Sequence, residues 1–363
     1  MNFPVAYIDV AALRHNLLRV KECAPNSRVI SVIKADAYGH GAITAAEALK
    51  ESDAFAVARL KEGVFLRQKG FEHPIVLLEG VNTEQDFITA SEYQLSPVIH
   101  LHSQIQLLQT LTLPKPLGFN WLMVDSGMHR LGIRPEQVEM ALTLLAESSN
   151  ISGEIGLMSH FANSDLDGDL RNQKQLAHML ALKHKTSLPL CLANSAAVIC
   201  LAESHQQWVR PGLMLYGVSP FSDKSGTELG LKPVMTLKTQ LIAVYDLEVG
   251  DQVGYGGEWT AEVPTRIGVA SIGYGDGYSR HLSNKAEVII RGKKAPVIGR
   301  VSMDTICINL NHVEQAETGD DVIVWGTADL AVEQLATLAE TIPYELVTVL
   351  CQRVNKEVIN GES

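Results

Sequence analysis

Ile30-Ser31-Val32-Ile33-Lys34-Ala35-Asp36-Ala37-Tyr38-Gly39-His40-Gly41 opens as an apolar, β-branched run and stops on a lysine. It then passes a tyrosine and two glycines into a helical pattern over 43–50. The reading is a buried strand that delivers Lys34 at its carboxyl end, with a helix to follow. In α/β proteins, ligands bind and chemistry happens at such strand ends. A lysine partly removed from water there loses its proton more readily and attacks a carbonyl carbon. The plainer reading is a lysine that ends an edge strand in solvent, and the strand alone does not separate the two.

The same strand-then-helix rhythm extends outward from this stretch. Strands are expected over 29–33, 54–58, 75–78, 95–99, 120–124, 154–158, 188–192 and 208–215. Most are continuous apolar runs, as suits strands covered on both faces. Val10, Leu13, Leu17 and Val20 recur at helical spacing before Pro25-Asn26-Ser27, and 135–147 carries Val138, Leu142 and Leu145 on one side. About eight such units fit an N-terminal (β/α)8 TIM-like barrel, with a doubly wound sheet as the alternative.

Beyond Leu231 the rhythm changes. Closely spaced strands are expected over 235–244, 266–272, 286–290, 295–298, 305–310 and 321–324, with one good helix over 330–338. That pattern describes a mainly β C-terminal domain. The expected division is a barrel over 10–228 and a β domain over 229–363 that takes in the N-terminal strand 1–9.

A chain of 363 residues exceeds the usual single-domain size. Hydrophobic residues at 46% against 20% charged exclude a disordered chain and permit a large core. A net charge of −11 argues against nucleic acid, whose phosphates want a basic surface. No apolar run is long enough to span a membrane. The start Met1-Asn2-Phe3-Pro4-Val5 lacks a basic, apolar signal, so a cytoplasmic location is expected. The five cysteines, Cys23, Cys191, Cys200, Cys307 and Cys351, are odd in number and widely spaced, and are read as buried free thiols. Asn163-Ser164-Asp165-Leu166-Asp167-Gly168 starts like a calcium loop, but Lys174 stands where a bidentate glutamate is required, so no metal is expected.

Val32 through Gly41 closely resembles the cofactor-lysine motif of the alanine racemases, a family that holds pyridoxal 5′-phosphate (PLP) on that lysine. Further stretches agree in family order. Asn194-Ser195-Ala196 suits a phosphate at a helix start, although alone it reads as an N-cap. By resemblance Ser195 binds the phosphate together with Tyr38 and the backbone of Gly212 and Leu213. Arg210-Pro211-Gly212-Leu213 is similar to the motif whose arginine faces the pyridine nitrogen; taken alone, an arginine in an apolar stretch is more often a structural ion pair. Val124-Asp125-Ser126-Gly127-Met128-His129-Arg130 resembles the segment whose arginine contacts the cofactor's phenolic oxygen and the substrate carboxylate. Met123 departs from the pattern, because many members carry a carbamylated lysine there. A bound anion such as chloride, or another acidic side chain, is expected to replace its charge.

His160, in Met158-Ser159-His160, is by resemblance hydrogen-bonded to the catalytic tyrosine and linked to Arg210. Gly273-Tyr274-Gly275-Asp276-Gly277-Tyr278 is similar to the family's second-base motif, and its glycines are wrongly spaced for a dinucleotide fingerprint. Tyr274 is thereby implied as the second base, with Lys34 as the first. Val301-Ser302-Met303-Asp304 resembles the segment whose methionine amide holds the substrate carboxylate, with Asp304 in support. Tyr255 is expected near the site entrance. Gln352 replaces a phosphate-binding tyrosine of several members, so that contact is either lost or made by the glutamine amide.

The resemblance implies racemisation of L- and D-alanine for peptidoglycan, by a homodimer whose sites are shared. A serine-preferring or broader racemase and a barrel-type PLP decarboxylase are the alternative enzymes, and a non-catalytic PLP-binding protein is the alternative outside catalysis.

Overall fold

The structure is a computed structural model that describes residues 3–361. The chain divides into two compact units. One comprises 16–37 and 45–215; the other comprises the chain up to His15, the segment 38–44, and the chain from Tyr216 onward.

In chain order the first strand is β1 (Val5–Asp9), which belongs to the second unit. The first unit is a closed parallel barrel of eight strands. These are β2 (Arg28–Val32), β3 (Ala54–Val57), β4 (Ile75–Leu77), β5 (Ser96–Ile99), β6 (Leu117–Met123), β7 (Ile151–Met158), β8 (Leu190–Cys191) and β9 (Trp208–Val209). Each is followed by helix, as the continuous apolar runs require, and the doubly wound alternative is excluded by the β2–β9 pairing that closes the ring. Ile30, Phe55, Val76, Leu77, Trp121 and Leu157 are fully buried, so the strands are covered on both faces.

Two expected strands shrink to pairs of residues, and proline is the cause. Pro189 and Pro211 lack the N–H that a ladder needs. Their carbonyls still serve, accepting from Leu157 N at 2.8 Å and Val32 N at 3.0 Å. The chain then leaves the barrel wall, and Leu213–Tyr216 forms a 3-10 turn where a strand over 208–215 was expected.

The second unit is built on an eight-stranded sheet. Its further strands are β10 (Met235–Leu247), β11 (Gln252–Val253), β12 (Trp259–Thr260), β13 (Thr265–Ala270), β14 (Glu287–Ile290), β15 (Lys293–Ile298), β16 (Ile306–Asn309), β17 (Asp321–Trp325) and β18 (Asn355–Ile359). The order is β13-β16-β15-β14-β17-β10-β1-β18, while β11 and β12 pair by themselves. β10 also pairs with β13 past a bulge between Leu241 and Ala243, so the long strand serves two neighbours. Val288, Ile290, Ile308, Val322 and Val324 fill the core of this unit.

The helix Val332–Leu338 falls where the sequence places one, but a second helix, Pro343–Thr348, accompanies it. β18 was not expected either; its Asn-Lys-Glu start is exposed and lacks the alternation that marks a half-buried strand. None of the five cysteines is in a disulfide, and only Cys191 is buried. Cys200 ends a helix and is exposed, so the expectation of buried thiols fails there. Among the described residues no helix is long and apolar enough to cross a membrane.

Candidate active site

β2 ends at Val32, and Lys34 opens a turn of unusual hand. Ala35, Asp36, Ala37 and Tyr38 have φ of 52°, 54°, 54° and 53°, a left-handed helical turn made without glycine. For L-residues that conformation costs about 1–2 kcal/mol each, so the surroundings must hold it. Glu62 does part of this: one carboxylate oxygen accepts from Ala35 N at 2.6 Å, and the other accepts from Ala58 N and Arg59 N at 2.9 Å each. Ala37 N donates back to Ile33 O at 3.0 Å. The turn ends at Tyr38, whose ring lies 5.0 Å from that of Tyr216 and 5.9 Å from that of Tyr344.

Lys34 is half-buried. Burial lowers the pKa of its amine, with Arg210 and Arg130 acting in the same sense and Glu62 and Glu79 opposing. An amine in that environment spends more of its time neutral, the form that attacks carbonyls or accepts protons.

Arg210, which follows β9, is 4% exposed. Its Nη2 donates to Ser159 O at 2.8 Å and lies 3.3 Å from His160 Nδ1. Its Nε is buried and has no partner among the described residues. His160 follows β7, and burial, then Arg210, Arg130 and Lys34, hold its pKa well below the ordinary value. The imidazole is therefore neutral. With Nδ1 turned to a guanidinium donor, the ring proton is assigned to Nε2.

Ser195 begins the helix Ser195–Cys200, and the cap is its neighbour Asn194, which accepts from Ala197 N at 3.1 Å. Ser195 Oγ accepts from Gly212 N at 2.9 Å and from Met214 N at 3.2 Å. These two amides flank Leu213, whose backbone is expected to meet the phosphate with that of Gly212. The serine hydroxyl keeps its own proton to donate.

Arg130 is exposed, in a loop pinned by Asp125, whose carboxylate accepts from Gly127 N at 3.1 Å and His129 N at 2.9 Å. Among the described residues no carboxylate pairs with Arg130, so the acidic side chain offered as a substitute for a charge at Met123 is not found.

Gln175, which the sequence did not flag, is 2% exposed and joins these loops. It donates to Ser126 Oγ at 3.1 Å and His160 O at 2.9 Å, and accepts from Ala162 N at 3.0 Å. Its helix, Leu170–Thr186, is polar enough to read as a solvated surface helix, so a lone glutamine carries no signal there.

In the second unit, Tyr274 lies in a turn against the segment that carries Met303. Tyr274 N donates to Ser302 O at 3.0 Å, and Gly275 N to Met303 O at 2.8 Å. The approach explains the alternating glycines: a Cβ at Gly273 would lie 2.3 Å from Ser302 O, and one at Gly275 would lie 3.0 Å from Met303 O. Tyr274, Met303 and Asp304 thus share one surface, and the first two are 45% and 53% exposed. Tyr255 stands in a separate 3-10 turn, Tyr255–Gly257, where Gly256 packs on the Arg300 guanidinium that is paired with Glu258. Gln352 is exposed.

The donor set around Lys34 suits a small, flat, phosphorylated ligand. It offers an amine of lowered basicity for an aldehyde, a serine hydroxyl that two backbone amides hold with its own proton directed to a phosphate, and a buried guanidinium N–H, without a partner among the described residues, for a ring acceptor.

Family models described as "Alanine racemase, N-terminal domain" and "Alanine racemase, C-terminal domain" match residues 8–220 and 234–358. The alanine racemase of Nitrosococcus oceani is 45% identical over 354 residues, covering 98% of this chain and 99% of that protein. The biosynthetic alanine racemase of Escherichia coli K12 is 40% identical over 361 residues, covering 99% and 100%. The crystal structure of biosynthetic alanine racemase from Pseudomonas aeruginosa superposes with a TM-score of 0.94 at 40% identity, covering 99% of this chain and 100% of that one. That of Bartonella henselae alanine racemase, solved with covalently bound pyridoxal phosphate, has a TM-score of 0.88 at 29% identity, covering 98% and 99%.

Proposed function

The chain belongs to the alanine racemase family and is an isomerase that interconverts L- and D-alanine, and from that premise we propose that it holds PLP on Lys34 and uses Lys34 and Tyr274 as its two bases. The observation that carries this reading is the half-buried amine of Lys34 at the end of β2, lowered in basicity first by burial and then by Arg210 and Arg130.

Lys34, Tyr38, Ser195 and the backbone of Gly212 and Leu213 would hold the cofactor, with Arg210 facing its ring nitrogen and His160 alongside. The chemistry supplied by that group when bound is an aldehyde that joins the substrate amine and a conjugated ring that spreads the charge left at Cα. Arg210 cannot give up its proton, so it opposes protonation of the ring nitrogen and keeps charge close to Cα, which favours return of the proton over side reactions.

Arg130 and the Met303 amide bind the substrate carboxylate and fix Cα between the bases. Lys34 then removes or returns the proton on the D-face, and Tyr274 does so on the L-face. Neutral His160, its Nδ1 held by Arg210, would donate from Nε2 to the Tyr274 phenol oxygen and orient it towards Cα. Tyr274 and Met303 are supplied by a second copy of the chain, so the working unit is a homodimer in the cytoplasm, and its D-alanine serves the cell wall. The word "biosynthetic" in the name of the E. coli relative supports the last point.

Two measurements test this. In D2O the purified protein should turn L-alanine into D-alanine carrying α-deuterium with no release of CO2, whereas a decarboxylase would release it. Borohydride treatment followed by peptide mapping should find the cofactor fixed on Lys34; fixation on another lysine would overturn the assignment. A panel of amino acids, serine first, measures the breadth of the pocket, since one hydroxyl is discriminated only modestly by an apolar site.

A further inference from the structure

We propose that Arg353 is a positioning residue for this reaction, a clamp that locks the turn bearing Tyr274 to the turn bearing Met303. The inference rests on the assignment of Tyr274 as the L-face base. Arg353 Nε pairs with Asp276 Oδ1 at 2.7 Å, and Nη2 donates to Asp304 Oδ1 at 2.8 Å and lies 3.5 Å from Met303 O. One guanidinium therefore joins the residue two beyond Tyr274 to the residue one beyond Met303.

The two carboxylates differ in what they need from it. Asp276 is 3% exposed, and its other oxygen accepts from Gly273 N at 2.8 Å, one residue before Tyr274. A carboxylate so enclosed is costly without a cation beside it, so the Arg353 pair fixes the turn from beneath. Asp304 is open to solvent, and its pair instead selects the position of the Met303 segment.

The segment around Arg353 reinforces the same contacts: Cys351 N donates to Asp276 O at 3.1 Å, and Cys351 Sγ to Gly275 O at 3.1 Å. Gly275 leaves room for this guanidinium, since a Cβ there would lie 2.6 Å from Arg353 Nη2 and push it from its place between the two carboxylates. Tyr274 and Met303 are about half exposed, so the direction of their side chains is set by the backbone under them. Lysine, a single point of charge, cannot span the two carboxylates as the planar fork does.

The test uses the holoenzyme with Arg353→Met, Arg353→Lys and Asp304→Asn. Amide hydrogen exchange is read over 272–278 and 301–305. D-Alanine in D2O is followed for α-hydrogen exchange with retention against inversion. A displaced Tyr274 leaves exchange on the Lys34 face intact while inversion falls. Arg353→Met is expected to raise the ratio of exchange to inversion about tenfold or more and to speed amide exchange in both segments, with Arg353→Lys between it and wild type.

An unchanged ratio in folded Arg353→Met, including a parallel fall of both rates, overturns the proposal. If Arg353→Met does not fold, Asp304→Asn keeps the buried pair and must raise the ratio in the same sense, or the clamp is refuted. Tyr274→Phe is the control. If it keeps the wild-type ratio, the base assignment is wrong, and the clamp is then judged on amide exchange alone.

Discussion

His160 shows what a cationic neighbourhood does to a single side chain. Burial first, and then the charges of Arg210, Arg130 and Lys34, put its pKa well below 6.5 in the folded protein. Between that depressed value and 6.5 the unfolded chain takes up a proton that the folded chain refuses, so stability rises with pH across this window. The contribution is complete above about pH 6.5 and is lost as the pH falls, by at most about 1.4 kcal/mol per unit. The thermal midpoint should therefore drop between about pH 7 and 5, and His160→Gln, which has no proton to gain, should flatten the drop. Parallel curves for the two proteins would mean that the histidine is not held neutral. The same neutrality is what the proposed chemistry needs, because an imidazolium squeezed beside Arg210 would have no lone pair for the guanidinium to approach at Nδ1.

At the scale of the element, the left-handed turn over 35–38 is where local preference and function part company. Ala35 and Ala37 are ordinary residues forced to positive φ, and the sequence offers nothing to reveal it, since glycine is the usual sign of such a turn. Lys34 was legible as a strand-end lysine, but it took the residues that follow it, through Gly41, to set it apart from one that ends an edge strand in solvent. Ser195, Arg210 and Tyr274 were legible only with their flanking residues. Glu62, Gln175 and Arg353 were not, because each acts on a backbone or a side chain far away in sequence.

Two substitutions test the turn. Ala35→Gly removes the Cβ penalty of about 1–2 kcal/mol and restores about 0.5–1 kcal/mol of unfolded-chain freedom, so it should leave stability level or slightly raised, against the usual cost of glycine. Glu62→Ala strips three backbone amides of their acceptor and should cost about 1–3 kcal/mol. It should also speed proteolysis or amide exchange across 33–41. Urea midpoints that rank Glu62→Ala level with the wild type would show that the turn is held by other contacts.

At the scale of the whole molecule, the candidate groups divide between two bodies of different architecture. Lys34, Arg130, His160, Ser195 and Arg210 stand on the barrel, whereas Tyr274, Met303 and Asp304 stand on the β unit. The proposed chemistry requires both sets at one Cα. An exposed tyrosine and methionine on a backbone this tightly bonded make a surface suited to being covered by another molecule, and in the proposed homodimer the β unit of one copy completes the barrel of the other. Complementation follows from that arrangement. A Lys34→Ala chain and a Tyr274→Phe chain, each inactive alone, should recover activity when dissociated and reassociated together, because one of the two sites in each mixed dimer receives an intact lysine and an intact tyrosine. Random reassociation of equal amounts makes half of the dimers mixed, so recovery should approach about one quarter of the wild-type rate per site. Exchange of subunits, checked by differently tagged chains, with no activity recovered would mean that each chain builds its site alone, and that Tyr274 reaches Lys34 within one polypeptide.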